Sequence, residues 1–512
     1  MDATNDEIVK FLSRGDTYGV ESVEVIETHT AMVFLAGERA YKLKKSLRYS
    51  YLDYSTAELR RGACEAEVGI GRQFAPSLYI GVEPVTRPGT GRLAIGGEGA
   101  PVDWLVVMKR FDQACQFDQM AERGALTPEL IRAVADEIAE RHSRAPVARD
   151  FGGAAGLRKA IDITNENLRI AADTTLPAGQ VEQWIKANSE NFHLQSALLE
   201  RRRLDDHVRA CHGDLHLRNI CLFEGRPTLF DALEFDPSLS NIDVLYDLAF
   251  LLMDLLHRGF DGLASLLFNR YLDRNDEADG LPALPLFMSV RAAIRSQVTA
   301  AQLTHSHADG HGRELREQAS QYLSLALWLQ QPMQPQLIAI GGLSGSGKST
   351  LANTLAPRIG IAPGARILRT DILRKRLLGV PPETKLPASA YSPVMHGKTY
   401  WRLLEEVRLA LVAGYSVIAD AVFGRGAERH FIEEAAHEFG AHFTGLWLDA
   451  PVEVREKRVT DRVADASDAT AEVARAQSRI GDLPLSWLSI DASGTPDLVA
   501  RVAKTALGMQ MI

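Results

Sequence analysis

The sequence predicts two domains of mixed α/β construction, a bilobal N-terminal domain and then an open parallel sheet, and three observations carry that prediction. Residues 20–110 alternate apolar and polar side chains as strands do, whereas 125–330 space apolar residues three and four apart as helices do. Strands and helices then alternate after residue 336, the rhythm of βαβ units. Between the two textures, Gln331-Pro332-Met333-Gln334-Pro335-Gln336 is rich in Pro and Gln and has no periodicity, as a linker would. The expected domains are therefore 1–330, with a small lobe over 1–110 and a large lobe over 111–330, and 337–512, joined by a linker at 331–336.

Composition fits that size. Of 512 residues 46% are apolar and 24% charged, which supports sizeable buried cores. A net charge of −9 argues against a general nucleic-acid binder, whose surface must match phosphate. The four cysteines are scattered without a CxxC pair, which fits a reducing cytoplasm and argues against a zinc site or disulfide framework. The start, MDATNDEIVK, is polar and acidic, unlike a signal peptide. The longest apolar stretch, 244–260, is broken by Asp247, Asp254, His257 and Arg258, and reads as a buried helix rather than a membrane span.

In the first domain, strands are expected at 32–35, 40–43 and 104–108, with one helix at 55–74. Residues 208–211 form a strand, 212–219 a loop, and 220–223 with 227–230 a hairpin around the turn Glu224-Gly225-Arg226. The loop reads His212-Gly213-Asp214-Leu215-His216-Leu217-Arg218-Asn219, and the hairpin ends at Asp231. Phosphoryl transfer needs an acceptor for a hydroxyl proton and oxygen ligands for magnesium. Asp214 suits the first role, and Asn219 with Asp231 the second.

In the second domain, strands are expected at 337–340, 367–368, 416–419 and 444–448, and a helix over 349–355 limited by Pro357. Between the first strand and that helix lies Gly342-Leu343-Ser344-Gly345-Ser346-Gly347-Lys348-Ser349-Thr350, a match to GxxxxGKS in the context that gives the motif its mechanism. Backbone amides of this loop, from Gly342, Ser344, Gly345, Ser346 and Gly347 to Thr350, and the helix N-terminus would hold phosphates. Lys348 would reach the β- and γ-phosphates and the Ser349 hydroxyl would ligate magnesium. The segment His305-Ser306-His307-Ala308-Asp309-Gly310-His311 reads as a solvated inter-helix loop rather than a metal site.

The HGDLHLRN loop, Phe230-Asp231 and Asp243-x-x-x-Asp247-Leu248-Ala249 resemble the aminoglycoside phosphotransferase and choline-kinase branch of the protein-kinase-like fold over residues 20–325. Gly213 stands where protein kinases carry Arg, and the resemblance implies a small-molecule acceptor, with Asp247 bracing the loop. It also implies a strand lysine on the nucleotide phosphates and a helix glutamate paired with it. Ala40-Tyr41-Lys42 fits the strand position best, with Lys44 on the same face as the competitor. Glu67, which shares its helix side with Ile70 and Phe74, is preferred over Glu65. Thr28-His29-Thr30 departs from a glycine-rich phosphate loop, and the adenine-reading hinge is expected near Val107-Met108.

Residues 336–512 resemble the P-loop kinases that include gluconate, shikimate and polynucleotide 5′-kinases, chloramphenicol phosphotransferase and zeta toxins. That resemblance makes Asp371 the acceptor-orienting base, with Arg374 one turn on to hold an anion. Asp420 at a strand end takes a Walker-B-like metal position, and Arg458 and Arg462 stand as lid arginines over ATP. The whole chain resembles a bacterial two-domain family of predicted kinases that fuses these two halves. It implies a tandem ATP- and magnesium-dependent cytoplasmic phosphotransferase acting on hydroxyls of a metabolite or sugar-like acceptor. The alternatives are a kinase of nucleic-acid ends or nucleotide-sugars led by the P-loop domain, and a regulatory protein with one domain that only senses ATP.

Overall fold

A computed structural model describes residues 3–28, 30–49, 52–89, 91–303, 311–461, 466–477 and 486–509. The chain forms two compact units, one of residues 1–157 with 200–251, the other of 158–199 with 252–512. The Pro/Gln segment thus lies inside the second unit, which holds both the parallel sheet and long helices that precede it.

In the first unit a six-stranded antiparallel sheet runs in the order Glu24–Glu27, Ala31–Ala36, Arg39–Lys44, Ala100–Lys109, Tyr79–Arg87, Ala94–Ile95. Strand alternation sorts its faces. Tyr41 and Leu43 enter one apolar cluster with Ile8, Phe34, Val85 and Leu105, while Lys42 and Lys44 point to the other face. That other face carries the helix Ala57–Phe74, started by the Thr56 hydroxyl, which accepts from the Leu59 amide at 3.2 Å. The helix buries Arg60, Cys64, Glu67, Val68 and Gly71, residues three and four apart on one stripe. Arg60 is bound to Asp103 of the sheet through two 2.8 Å bonds. Gly71 is required by its neighbour, because a Cβ there would lie 2.4 Å from the Tyr79 ring.

The lower part of this unit is helical, led by Pro128–Arg144 behind its Thr127 cap. Two short antiparallel pairs stand there, Val208–Ala210 with Asn241–Asp243 and Ile220–Phe223 with Arg226–Leu229. The hairpin turn is one residue tighter than its composition suggests. Arg226 pairs with Phe223, leaving only Glu224 and Gly225, both at positive φ, as in the two-residue turns that match strand twist.

In the second unit five parallel strands run in the order Arg366–Arg369, Val417–Asp420, Gln336–Gly342, His442–Asp449, Leu488–Asp491. The last of these has no counterpart among the expected strands, since only Leu488 and Ile490 mark its alternation. The helices Lys348–Leu355 and Pro496–Ala506 pack on the sheet through Leu351, Leu355, Val499 and Ala503. In the same unit Asn269 of the helix Asp261–Arg274 donates to Ala365 O and accepts from Ile367 N at 2.7 Å. Buried Arg366 meets Asp273 at 2.7 Å, and Phe268 stacks on Tyr415. The edge of the parallel sheet is therefore sealed by chain that lies well before the linker. Among the described residues no helix is long and apolar enough to cross a membrane.

Candidate active sites

The first site gathers on the helix-covered face of the antiparallel sheet. Lys42 Nζ lies 2.9 Å from Glu67 Oε1 and 2.6 Å from Asp231 Oδ1. Burial opposes the Lys42 charge, but Asp231 and then Glu67 outweigh it and hold the ammonium well above its ordinary pKa. Asp231 sits at φ 59°, a conformation uncommon outside glycine, and its amide donates to the Tyr79 hydroxyl at 3.1 Å. Lys44 also reaches Glu67, at 2.7 Å, so the two lysines both meet the glutamate.

The loop 212–219 is pinned from below. Asp247, fully buried, accepts the amides of His212 at 3.2 Å and Gly213 at 2.8 Å. His212 Nε2 lies 2.9 Å from Phe230 O, and burial lowers the pKa of its ring. Asn219 donates to Asp214, both to its carbonyl and to Oδ2 at 2.9 Å, while the Phe230 amide bonds Asn219 O and joins loop to hairpin. His216 Nε2 approaches Asp214 Oδ2 at 3.3 Å, a contact that the spacing of the motif alone did not single out. Asp214 and Asn219 thus form a pair, and Lys42, Glu67 and Asp231 a cluster of three.

Met108 is paired on both sides, with Ala40 and with Tyr79, so it lies inside a central strand that ends at Lys109. The connecting segment starts one residue later, at Arg110. The Thr28 hydroxyl is engaged within its own turn, accepting from Ala31 N at 3.0 Å. His29 lies outside the described residues, as do His305, His307 and Asp309.

The second site stands at the carboxyl ends of the parallel strands. The loop leaves the strand Gln336–Gly342 and enters the helix Lys348–Leu355, with Gly342, Gly345 and Gly347 at φ 141°, 87° and 97°. Gly345 has no room for a side chain, because a Cβ would lie 2.5 Å from Arg455 O. The Ser349 hydroxyl meets Asp420 Oδ2 at 2.5 Å, and Lys348 Nζ rests 3.2 Å from Leu343 O. The Ser346 hydroxyl is buried without a hydrogen-bond partner among the described residues.

A cavity of about 580 Å³ joins Lys348, Ser349 and Asp420 to Asp371 and Arg374. Arg374 Nη1 lies 3.1 Å from Asp371, and its guanidinium covers the Tyr391 ring at 4.7 Å. Arg374 is only 6% exposed, yet its Nε has no partner among the described residues. His396, bound to Glu428 at 2.7 Å, and Tyr400 complete the far wall. Asp468 bonds the Tyr391 hydroxyl at 2.6 Å and Lys375 at 3.3 Å.

Arg458 is held by carbonyls: those of Ala492 and Gly494 at 2.8 Å and of Ser346 at 3.5 Å. It is a fixed wall beside the phosphate loop in this arrangement, and Arg462 lies outside the described residues. Arg455, one turn before Arg458, is the arginine the sequence did not mark. It is 3% exposed and donates to the carbonyls of Ala450, Ser344 and Ala474. Nothing in the local pattern separates it from a solvated arginine. Both sites offer oxygen donors, carboxylates with a hydroxyl or an amide, and such sets fit a hard divalent cation.

A profile of the phosphotransferase enzyme family matches residues 61–285, and a profile of the AAA domain matches residues 337–483. An uncharacterized protein of Mycobacterium tuberculosis is 30% identical over 462 residues, covering 89% of either chain, and one of Mycobacterium bovis matches equally. Among solved structures, a choline/ethanolamine kinase family protein from Mesorhizobium loti is 15% identical, with a TM-score of 0.37. The match covers 63% of this chain and 99% of that one. A gluconokinase from Sinorhizobium meliloti is 21% identical with a TM-score of 0.25, covering 34% of this chain and 92% of its own.

Proposed function

Because this chain belongs to the family that joins a phosphotransferase enzyme domain to a P-loop kinase domain, we propose that it is a tandem ATP-dependent kinase of small molecules. It moves the γ-phosphate to a hydroxyl of a metabolite or sugar-like acceptor at one or both sites, with magnesium at each. The functional domains on this reading are 1–330 and 337–512. The observation that supports it is two separate groups of side chains, each with a lysine suited to phosphate, a candidate metal carboxylate and a candidate base. In the first, Lys42 and Glu67 serve the phosphates, Asp231 and Asn219 hold the metal, and Asp214 receives the hydroxyl proton. In the second, Lys348 and the loop amides serve the phosphates, Ser349 and Asp420 hold the metal, and Asp371 orients the acceptor. The four cysteines, scattered along the chain and held as thiols, support a cytoplasmic setting.

Arg374 favours a narrower reading of the second site. A buried guanidinium with an unused donor in the acceptor end of the cavity suits an acceptor that carries an anionic group beside its hydroxyl. A nucleotide-sugar or a nucleic-acid 5′ end would meet that requirement, although the acidic chain speaks against long nucleic acids. A metabolite screen with γ-labelled ATP tests both readings on the wild type, Asp214→Ala and Lys348→Ala. Calorimetry should find two ATP sites, one of them lost in Lys348→Ala. A single site in the intact chain would overturn the tandem reading and favour one domain that senses ATP without transfer.

A further inference from the structure

The strand Arg39–Lys44 places a second lysine beneath the first. Each oxygen of the Glu67 carboxylate takes one ammonium: Oε1 from Lys42 at 2.9 Å, Oε2 from Lys44 at 2.7 Å. Beyond Glu67 the lysines diverge. Lys42 goes on to Asp231 at 2.6 Å, and Lys44 goes on to Glu234 Oε1 at 2.6 Å, where the Tyr54 hydroxyl also binds at 3.0 Å. The chain from Asp231 to Glu234 therefore closes a ring with Glu67 through the two lysines.

The two ends of this ring differ in their access to water. Side-chain exposure is 42% at Asp231 and 12% at Lys42, against 2% at Lys44 and 9% at Glu234. A dry ion pair is poor value as a source of stability, because desolvation offsets most of its attraction. Its placement suggests another use. On the kinase reading of this site, Lys42 must leave Asp231 when phosphate oxygens arrive, and Asp231 must then face the metal. At that moment Glu67 loses part of its hold on Lys42, and the Asp231 backbone, at φ 59°, loses a side-chain anchor. Lys44 is not drawn into that exchange. Two ammoniums face three carboxylates in the ring, so one negative charge is left to meet a cation.

We infer that Lys44 and Glu234, with Tyr54, are positioning residues for the metal nucleotide of the first site. They keep Glu67 ionised and aimed, and they hold the 231–234 segment in place while Lys42 changes partners. This rests on the kinase reading of the site, and the test separates the two.

The test uses the full chain in a Lys348→Ala background, so that only the first site binds. Titration calorimetry is run with MgATP and with ATP plus EDTA, and melting is followed on the same samples. Lys44→Met and Glu234→Gln should each weaken MgATP by about tenfold, the coupling expected within one ion-pair network, and metal-free ATP by much less. The double variant should bind about as weakly as either single one, because both remove the same unit. Lys44→Arg should retain most of the affinity. If Lys44→Met fails to fold, the isosteric Glu234→Gln decides. A lower melting temperature with MgATP affinity unchanged would reduce the pair to a structural strut and overturn the inference, as would additive losses in the double variant. No MgATP binding in the parent background would instead remove the kinase reading of this site, and the inference with it.

Discussion

Lys42 has two anionic partners, Glu67 and Asp231, on the covered face of the sheet. An unpaired ammonium at this depth would be driven towards neutrality, so Asp231 and Glu67 preserve its charge. Asp214 is tied to Asn219. Asp214→Ala should lower turnover at the first site by about 10²- to 10⁴-fold and leave ATP affinity nearly unchanged, by calorimetry beside a kinase assay. Lys348→Ala should cost the second site about 10²- to 10³-fold in turnover, as for other lost electrostatic donors, and spare the first. Glu67 adds a pH dependence. Burial pushes its pKa up, but Lys42 and Lys44 outweigh burial and bring it from 4.5 to about 2. Its folded-state pKa is depressed, so its contribution to stability is complete above pH 4.5 and is lost as pH falls from there towards 2. In urea melts, the stability difference between wild type and Glu67→Gln should shrink through that window.

At the level of elements, the helix Ala57–Phe74 is the part that turns sheet geometry into site geometry. Its stripe delivers Glu67 to the lysines, Arg60 to Asp103, and Gly71 to the Tyr79 ring. Tyr79 in turn holds the Asp231 amide. Gly71→Ala would drive a methyl group into the ring and displace both. It should destabilise the protein by about 1–3 kcal/mol, as overpacking does, and weaken nucleotide binding at the first site, read by melting and calorimetry on one sample. In the second site the comparable element is the helix Val452–Thr460, whose Arg455 and Arg458 are consumed by backbone carbonyls around the phosphate loop. They shape that loop through fixed hydrogen bonds.

For the molecule as a whole, the compact units and the expected domains divide the chain differently. The parallel sheet shares its unit with residues 158–199 and 252–335, and the buried contact of Arg366 with Asn269 and Asp273 shows why. A fragment 336–512 would leave that guanidinium without Asp273 at 2.7 Å, with Glu406 at 3.8 Å as its remaining carboxylate. Removing one partner of a buried pair costs about 3–5 kcal/mol. The fragment should therefore unfold at lower urea concentration than the same domain in the full chain, and Asp273→Ala should reproduce the loss. Equal midpoints would show instead that the linker is an independent boundary.

The motifs, the strand ends that present them and the alternation that puts Lys42 and Lys44 on one face were all legible in the sequence, because each depends on residues close together in the chain. The glycines of the phosphate loop and the acidic residues at strand ends belong to the same class of signal. What lay beyond it was partnership. Lys44 meets Glu234 across 190 positions, and Arg366 meets Asn269 across 97. The sequence also could not separate buried Arg455 from an arginine in water. Burial and ion pairing come from packing between distant segments, and local periodicity records only which face a side chain occupies. The two motifs were therefore legible as short-range patterns, while tertiary structure decided which charges stand together and where one compact unit ends.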